Sequence, residues 1–421
     1  MTQTAWSEAV EGVLYMKVID GGVTAPIGYQ AAGIQAGIKK DKKDMALVYS
    51  EAPCEAAGVF TRNLVQAAPV KWDRMVVQSG AKCHAVVVNS GVANACTGEE
   101  GMGYCKDTCD EAAKVLGIPA DSVLVASTGV IGFQLPMDKL LPGISILKDH
   151  LGSAREDAHE AATAIMTTDT VPKETAVQVE IGGKTVTVAG MCKGSGMIHP
   201  NMCTMLCFLT TDANISKELL QKALSKDVED TFNMISVDGD TSTNDTVLVM
   251  ANGQSGCPRI ETEGEDYDTF YAAFHQVMET LCKKIAGDGE GCTALFEVKV
   301  VGADSREQAR TLAKSIVTSS LTKAAIYGHD ANWGRILCAM GYSGASFDPE
   351  KVDIYFESEN GKLKIVENGT ATDYSEEKAT EILSASAVTA IADVKMGEES
   401  ATAWGCDLTH EYVSINADYR S

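Results

Sequence analysis

Strand-like and helix-like patterns alternate along the whole 421-residue chain, and this alternation restricts its fold class. Short apolar runs that end in turn residues, such as Cys83–Gly91, predict buried strands. Between such runs lie stretches that are helical by composition, such as Ala154–Met166. At roughly 150 residues per domain, the length allows two or three domains or one large body. The sequence therefore predicts an α/β or mixed α+β fold but gives no strand order.

The segment Ala176–Gly190 gives the sharpest local prediction. Apolar and polar residues alternate in both arms around Gly182-Gly183. Two adjacent glycines accept the positive φ angles that a type I′ turn requires. We therefore expect a β-hairpin, followed by the Gly-, Ser- and Pro-rich stretch "KGSGMIHPNMC" and then an apolar strand that begins at Thr204.

Periodicity and capping residues predict most of the other elements. The predicted helices are Gly103–Leu116, Ala154–Met166, Tyr267–Ile285, Arg306–Leu321, and one that Ser216 caps and that carries the stripe Leu220, Leu224, Val228 and Phe232. The predicted strands, besides those above, are Asp121–Gly132 with its closing turn, Asp245–Gly253, Ala294–Val301, Val352–Glu357 and the C-terminal "EYVSINA".

Composition excludes several classes of protein. Apolar residues make up 45% of the chain, so a sizeable core is available. A net charge of −23 argues against binding to nucleic acid or to an anionic membrane surface. The 13 cysteines are scattered, which is typical of a reducing compartment. Because there is no signal-peptide pattern and no run of about 18 to 20 apolar residues, we expect a cytoplasmic protein.

Several stretches resemble metal- or phosphate-binding motifs but lack residues that those motifs require. The stretch "SVDGDTSTNDTV" resembles a calcium loop, but Thr243 replaces the required glycine and Val249 the required glutamate. A turn rich in hydrogen bonds from side chain to backbone is the better interpretation. The stretch "GDGEG" follows a helix and lacks a closing Gly-Lys-Ser/Thr, so a P-loop is disfavoured. Cys105 and Cys109 lie one helical turn apart with no second pair nearby, and we predict no metal site.

Three features remain ambiguous from the residues alone. "NSGVANA" and "ASTGVIG" each follow an apolar strand, and such strand ends can hold a substrate or an oxyanion, although an ordinary β-turn is the more common outcome. Glu290 lies between glycines, where a ligand can approach the backbone. Thr204 has the composition of a strand residue, because threonine favours strands.

A resemblance that spans nearly the whole chain favours the functional interpretation of these three features. The segments that carry it occur in family order and are "VNSGVANACTG", "ASTGVIG", "AIMTTDTVPK", "KGSGMIHPNMCTML", "TTDANIS", "SVDGDTSTNDT", "GDGEG", "YGHDANWGRI" and "INADYRS". Together they resemble the ornithine acetyltransferase (glutamate N-acetyltransferase) family of arginine biosynthesis. The resemblance implies the aminopeptidase-like α/β fold of enzymes with an N-terminal threonine nucleophile.

The resemblance also implies self-cleavage between Cys203 and Thr204. The products would be an α chain of residues 1–203 and a β chain of residues 204–421, intertwined in one catalytic body. Thr204 would then carry a free α-amine beside its hydroxyl. Such an amine has a pKa near about 7.7–8.0, so it can accept the hydroxyl proton near neutral pH.

Other site residues are carried over in the same way. Thr128 and Gly129 would form the oxyanion hole, and the residues that would bind substrate are Thr167, Lys193, Thr204, Glu290, Asn416 and Ser421. Lys193 would supply a local cation for a carboxylate, and Glu290 would suit an ammonium group. The chain departs from the family pattern at Cys203, where alanine is usual, and at Ser421, where threonine is common.

Three functions are consistent with these residues. In the first, acetyl passes from N²-acetylornithine to Thr204 and then to glutamate, with ping-pong kinetics and no cofactor. In the second, water replaces glutamate and the protein is an N-terminal-nucleophile aminopeptidase or amidohydrolase. In the third, the chain is never cut and only binds ligands. The resemblance favours the first and an assembly of two α and two β chains, and it leaves open whether acetyl-CoA is a second donor.

Overall fold

The computed structural model describes residues 16–199 and 205–417. Its strands are β1 (Met16–Ile19), β2 (Tyr29–Ile34), β3 (Met45–Phe60), β4 (Cys83–Val92), β5 (Val123–Val130), β6 (Lys173–Ile181), β7 (Lys184–Lys193), β8 (Leu206–Thr211), β9 (Ile235–Ser236), β10 (Thr246–Ala251), β11 (Leu295–Ala303), β12 (Asp353–Ser358), β13 (Gly361–Glu367), β14 (Thr370–Ala371), β15 (Ala387–Asp393) and β16 (Glu399–Cys406). Its α-helices are α1 (Ala68–Ser79), α2 (Glu100–Leu116), α3 (Met137–Asp149), α4 (Arg155–Ala164), α5 (Lys217–Asp227), α6 (Glu265–Ala286), α7 (Arg306–Thr318), α8 (Ser320–Tyr327), α9 (Trp333–Gly341), α10 (Glu376–Leu383) and α11 (His410–Ala417). This mixture confirms the predicted α/β class.

The chain divides into two compact units, and neither is continuous in sequence. The first unit contains most of the chain up to Gly194 together with residues 205–228 and 241–281. The second contains residues 195–199, 229–240 and 282–417. Residues on both sides of the predicted cleavage bond therefore contribute to each unit.

The described part of the first unit is built on a nine-stranded sheet. Eight strands follow the order β1-β6-β7-β8-β10-β3-β4-β5, and β2 pairs with β3 off this path. The two faces of β4 belong to two separate cores. Val86 and Val88 on one face pack in the core that includes α4, and Ala85 and Val87 on the other face pack in the core that includes α2 and α3. Burial of β4 on both faces explains the continuous apolar run in its sequence.

The predicted hairpin is confirmed as β6 and β7. The turn between them is Gly182-Gly183, with φ angles of 57° and 72°. These left-handed conformations disfavour side chains with a Cβ atom, so the two glycines permit the tight turn. Strand β8 then pairs antiparallel with β7 and parallel with β10.

The second unit has its own sheet, and its described residues form seven strands. Their order is β14-β13-β12-β15-β11-β16-β9. Helix α7 buries an apolar stripe that includes Leu312 and Ile316, and Ser305 caps the helix by accepting a hydrogen bond from the Gln308 N–H. The central strand β11 pairs parallel with β15 and antiparallel with β16.

Most of the predicted elements agree with the structure. Helix α2 ends at Gly117, which has a φ of 71°, and Ser216 caps α5 as expected. Two details differ. Val228 and Phe232 lie beyond the end of α5, and the predicted helix over Arg306–Leu321 is interrupted at Ser319, which caps the next helix, α8.

The prediction of a C-terminal strand is wrong. The residues of "EYVSINA" form helix α11, which buries none of its side chains. Thr409 accepts a hydrogen bond from the Tyr412 N–H and so starts the helix. The alternation that resembled a strand has no buried face to support it, since Val413 is 64% exposed.

We find no helix in the ranges 16–199 and 205–417 that is long and apolar enough to cross a membrane.

Candidate active site

The two glycine-rich strand ends noted in the sequence are neighbours in the first unit. Strands β4 and β5 run parallel, and their register places Ser90 beside Thr128 and Gly91 beside Gly129. Gly129 has a φ of 125°, and a Cβ atom there would lie 2.3 Å from the Gly91 carbonyl carbon. Only glycine fits such a close approach. The buried Thr128 therefore sits on a rigid frame, as an oxyanion-binding residue requires.

The carboxylate of Asp169 contacts four groups at or near the predicted substrate residues of this unit. Its carboxylate accepts hydrogen bonds from the N–H groups of Thr167, at 3.0 Å, and Gly194, at 2.7 Å. It also lies 2.7 Å from the ammonium of Lys173 and 4.0 Å from that of Lys193. Thr167 and Lys193 are thus held through one buried side chain that sequence reasoning did not select.

Electrostatics keep this carboxylate ionised. Burial alone would raise the pKa of Asp169, but the ammonium groups of Lys193 and Lys173 outweigh it and lower the pKa to about 2. The Asp169 carboxylate and the Lys193 ammonium are thereby fixed as partners. The family segment "AIMTTDTVPK" contained Asp169, but only the fold reveals what it contacts.

Lys39 is a second cation in this region that the sequence did not indicate. Its ammonium donates a 2.9 Å hydrogen bond to the Met166 carbonyl oxygen, one residue before Thr167. Its side chain packs on Gly91, where an added Cβ would lie 2.8 Å from Lys39 Cγ. Burial lowers the pKa of Lys39 to about 8, with nearby Asp44 opposing the shift. At neutral pH this cation still carries most of its charge.

In the second unit, a loop of residues 195–199 is held by hydrogen bonds to the half-buried Asp238 and the buried Asp288. The Asp238 carboxylate accepts the N–H groups of Met197 and Ile198 at 2.6 and 2.9 Å. The Ser195 hydroxyl donates to the Asp288 carbonyl oxygen at 2.7 Å. Met197 has a positive φ of 55°, which is uncommon for a side chain of this size. The loop that leads toward Thr204 in sequence is therefore fixed in an unusual conformation.

Asp238 belongs to the stretch "SVDGDTSTNDTV", which resembled a calcium loop in the sequence. Besides the loop N–H groups, it accepts the Asp240 N–H at 3.2 Å and the Tyr412 hydroxyl at 3.2 Å. Burial raises the pKa of Asp238, and these donors oppose the shift. The interpretation as a turn rich in hydrogen bonds from side chain to backbone is confirmed at this residue.

Glu290 and Asn416, two predicted substrate residues, meet in the second unit. Asn416 Nδ2 donates to Glu290 Oε2 at 2.8 Å. The Glu290 carboxylate is buried against Gly196, where an added Cβ would lie 2.3 Å from it, and the Glu290 N–H donates to the Ser195 carbonyl oxygen. A fixed carboxylate of this kind can bind an ammonium group.

Three of the predicted site residues, Cys203, Thr204 and Ser421, lie outside the described residues. Of the remaining ones, the first unit holds Thr128, Gly129, Thr167 and Lys193, and the second holds Glu290 and Asn416. The roles assigned to all of them stay predictions.

Comparison with known proteins gives consistent results. The ArgJ family model matches residues 30–421. The arginine biosynthesis bifunctional protein ArgJ of Thermotoga neapolitana is 51% identical over 94% of this chain and 99% of its own length. The protein of the same name from Caldanaerobacter subterraneus is 50% identical over 96% of this chain and 100% of its own. A solved structure of ornithine acetyltransferase from Mycobacterium tuberculosis, complexed with ornithine, is 44% identical, covers 44% of this chain and 98% of that chain, and has a TM-score of 0.42.

The match to the family model and the identity to its members both extend over nearly the full length of the chain. The resemblance seen in separate sequence segments is therefore confirmed, and this chain belongs to the ArgJ family.

Proposed function

We propose that this chain transfers acetyl from N²-acetylornithine to glutamate through an acetyl-Thr204 intermediate. Membership of the ArgJ family makes the chain an acetyltransferase of arginine biosynthesis, which favours transfer over the hydrolase and pure binding alternatives. The observation that carries the finer proposal is the contact between Asn416 and Glu290, beside the loop that precedes Thr204 in sequence.

The nucleophile is produced by cleavage of the Cys203–Thr204 bond. The Thr204 hydroxyl attacks the Cys203 carbonyl carbon and the C–N bond breaks, which frees the α-amine of Thr204 and leaves an ester. Water then hydrolyses this ester, which frees the Thr204 hydroxyl and leaves a carboxylate on Cys203. The α-amine then accepts the hydroxyl proton when Thr204 attacks the acetyl carbonyl carbon, and returns a proton to the departing amine of ornithine. In the second half-reaction the glutamate amine attacks the acetyl-Thr204 ester and restores the hydroxyl.

Thr128 and Gly129 stabilise the oxyanion of each tetrahedral intermediate. Support comes from the pairing of β4 with β5, which fixes the backbone at Thr128 and Gly129 before substrate arrives. Donors that need no reorganisation are the most effective, and losing one typically costs about 2.7–4 kcal/mol of transition-state stabilisation.

Charged residues select an amino-acid substrate. Lys193, held by Asp169, binds a substrate carboxylate, and Lys39 adds a second positive charge in the same unit. In a protein of net charge −23, such local cations are needed to attract an anion. Glu290 binds the ammonium group, with Asn416 orienting its carboxylate.

Strand pairing supports a stable complex of the two products. Strand β8, which follows Thr204 in sequence, pairs with β7 over six residue pairs, and β10 pairs with β3 over six more. A cut chain would therefore stay associated without a covalent link. The assembly of two α and two β chains remains a proposal, which the mass of the native particle by light scattering would test.

The decisive experiment combines a denaturing gel with kinetics. Wild-type protein should run as two bands of nearly equal size, and Thr204→Ala as one. Initial rates with varied acetylornithine and glutamate should give parallel double-reciprocal lines, and consumption of acetylornithine should require glutamate. Intersecting lines would contradict the acetyl-enzyme, and glutamate-independent consumption would indicate hydrolysis. The same assay with acetyl-CoA and glutamate alone determines whether acetyl-CoA is a donor.

A further inference from the structure

The turn formed by Gly287–Cys292 lies against the sulfur of Cys406 in the second unit. Cys406 ends β16 and is 1% exposed, whereas Cys292 is half-buried. A Cβ atom on Gly289 would lie 2.6 Å from Cys406 Sγ, so the backbone of the turn packs directly on this sulfur. The Sγ atoms of Cys292 and Cys406 lie within 4.8 Å of each other and of an Asp407 carboxylate oxygen.

The surroundings of this group disfavour a metal ion. Asp407 Oδ1 accepts the N–H groups of Thr293 and Ala294 at 2.8 and 3.2 Å, and Oδ2 accepts the Thr293 hydroxyl. The buried Lys323 donates to the Cys406 carbonyl oxygen, and its Nζ lies 3.7 Å from Cys406 Sγ. An ammonium at that distance repels a metal cation and stabilises a thiolate.

The two sulfurs are chemically different. The Cys292 thiol can donate to the Gly287 carbonyl oxygen, 3.4 Å away, or to the sulfur of Cys406. Its hydrogen bond to Cys406, together with Lys323, lowers the pKa of the Cys406 thiol despite its burial. The same hydrogen bond, followed by burial, raises the pKa of Cys292. The Cys406 thiol therefore loses its proton more readily than the Cys292 thiol, so Cys406 is the better nucleophile of the pair.

We propose that Cys292 and Cys406 are a redox-active dithiol that hydrogen peroxide converts to an intramolecular disulfide. The Cys406 thiolate attacks one peroxide oxygen, the O–O bond breaks and hydroxide leaves, which gives a sulfenic acid. The Cys292 sulfur then attacks Cys406 Sγ, the S–O bond breaks and water leaves with the thiol proton. One thiolate, one thiol and one peroxide thus give a disulfide, water and hydroxide, with a two-electron oxidation of the pair.

This disulfide would change the turn that carries Glu290. The sulfurs must approach to about 2.05 Å, which draws Cys292 toward the end of β16. Glu290 lies two residues before Cys292, and α11 with Asn416 follows Cys406 closely in sequence. Oxidation would therefore act on the segment that fixes the Glu290–Asn416 contact.

Peptide mapping of the full-length wild-type protein tests the proposal. The protein is treated with hydrogen peroxide, alkylated and digested with trypsin. The sequence is favourable, because Cys292 is the only cysteine in the tryptic peptide Ile285–Lys299 and Cys406 the only one in Met396–Arg420. We expect these two peptides to be joined, at a peroxide dose that leaves the exposed Cys96 and Cys338 alkylatable, and dithiothreitol to separate them.

Two variants complete the design. Cys292→Ser should abolish the joined peptides and leave Cys406 at the sulfenic or higher oxidation state, whereas Cys338→Ser should form the disulfide as the wild type does. Peroxide that modifies Cys96 and Cys338 first, or joins either peptide to another cysteine, would overturn the proposal. Stoichiometric zinc in the purified protein that disappears in Cys292→Ser would overturn it in favour of a metal site. If Cys292→Ser does not fold, the peptide map of the wild type still tests the proposal, because it shows whether the Cys292 and Cys406 peptides are joined.

Discussion

The side-chain amide of Asn416 donates a hydrogen bond of 2.8 Å to the carboxylate of Glu290, although the two residues are 126 positions apart in the chain. The same carboxylate lies against Gly196 in the loop that leads toward Thr204 in sequence. This relationship gives a structural basis for the ammonium-binding role that we propose for Glu290.

Replacing Glu290 with glutamine should weaken substrate binding. The variant keeps the shape of the side chain but loses the negative charge that an ammonium group requires. Hydrogen bonds to charged groups contribute about 1.5–3 kcal/mol, so kcat/KM for acetylornithine should fall roughly ten- to hundredfold. The exposed Glu377→Gln in the same unit is the control and should retain activity. Equal activity of the two variants would show that Glu290 does not bind the substrate ammonium group.

Lys39→Gln should raise the KM for substrate. The wild-type ammonium is half-buried and carries most of its charge at pH 7, because its pKa is about 8. Since burial has lowered this pKa, the positive charge is lost as pH rises through about 8, and the KM of the wild type should rise there too. Its exposed neighbour offers a matched control, Lys40→Gln, which should leave both the KM and its pH profile unchanged. If the KM of Lys39→Gln still rises near pH 8, the transition belongs to a group other than Lys39.

Thr128→Val should lower kcat without a comparable change in KM. Valine matches the shape of threonine but removes the hydroxyl that we propose for the oxyanion hole. The loss of one such donor predicts a fall in kcat of about 10²–10³-fold. Thr185→Val, at an exposed position of β7, should behave as the wild type. A denaturing gel must accompany the kinetics, because an uncut Thr128→Val protein would place the hydroxyl in self-cleavage rather than in turnover.

Asp169→Asn should destabilise the first unit. The substitution removes the negative charge that lies 2.7 Å from the ammonium of the fully buried Lys173, and breaking a buried pair costs about 3–5 kcal/mol. The folded-state pKa of about 2 is below the ordinary value of 3.8. The contribution of Asp169 is therefore present above about pH 4 and is lost as pH falls toward 2.

Thermal unfolding followed by circular dichroism between pH 2 and 7 measures this effect. The wild type and Asp169→Asn should differ by several degrees at pH 7 and converge at the acid end. Asp266→Asn, at an exposed position of α6, should follow the wild type throughout. A constant difference over the whole pH range would mean that Asp169 acts by shape rather than by charge.

Local patterns predicted the elements well because they depend on neighbouring residues. The glycine pair at 182–183 specified its turn, and Ser216 specified a helix start. The strand prediction for the C-terminal "EYVSINA" was wrong for the same reason, because it used only the local alternation of residues. The segment forms a helix since it has no buried face to support a strand and Thr409 caps its start.

The contacts of the site could not be predicted from such patterns. Lys39 reaches Met166 across 127 positions, and Cys406 reaches the turn at Cys292 through the pairing of β16 with β11. Periodicity gives no strand order, so it cannot bring such residues together. The family resemblance supplied the roles of Thr128 and Lys193, but Asp169, which holds Lys193 and Thr167, emerged only from the fold.

The proposed reaction depends on the acetyl-Thr204 intermediate, which mass spectrometry of the β chain can detect. Cleaved protein is mixed with acetylornithine in the absence of glutamate, quenched in acid and kept acidic while the mass of the intact β chain is measured, because at alkaline pH the free α-amine would take the acetyl group from the ester. We expect one acetyl group on the β chain, bound as an ester that hydroxylamine removes and that glutamate, added before the quench, discharges. A β chain that remains unmodified while acetylornithine and glutamate together are turned over would rule out the acetyl-enzyme.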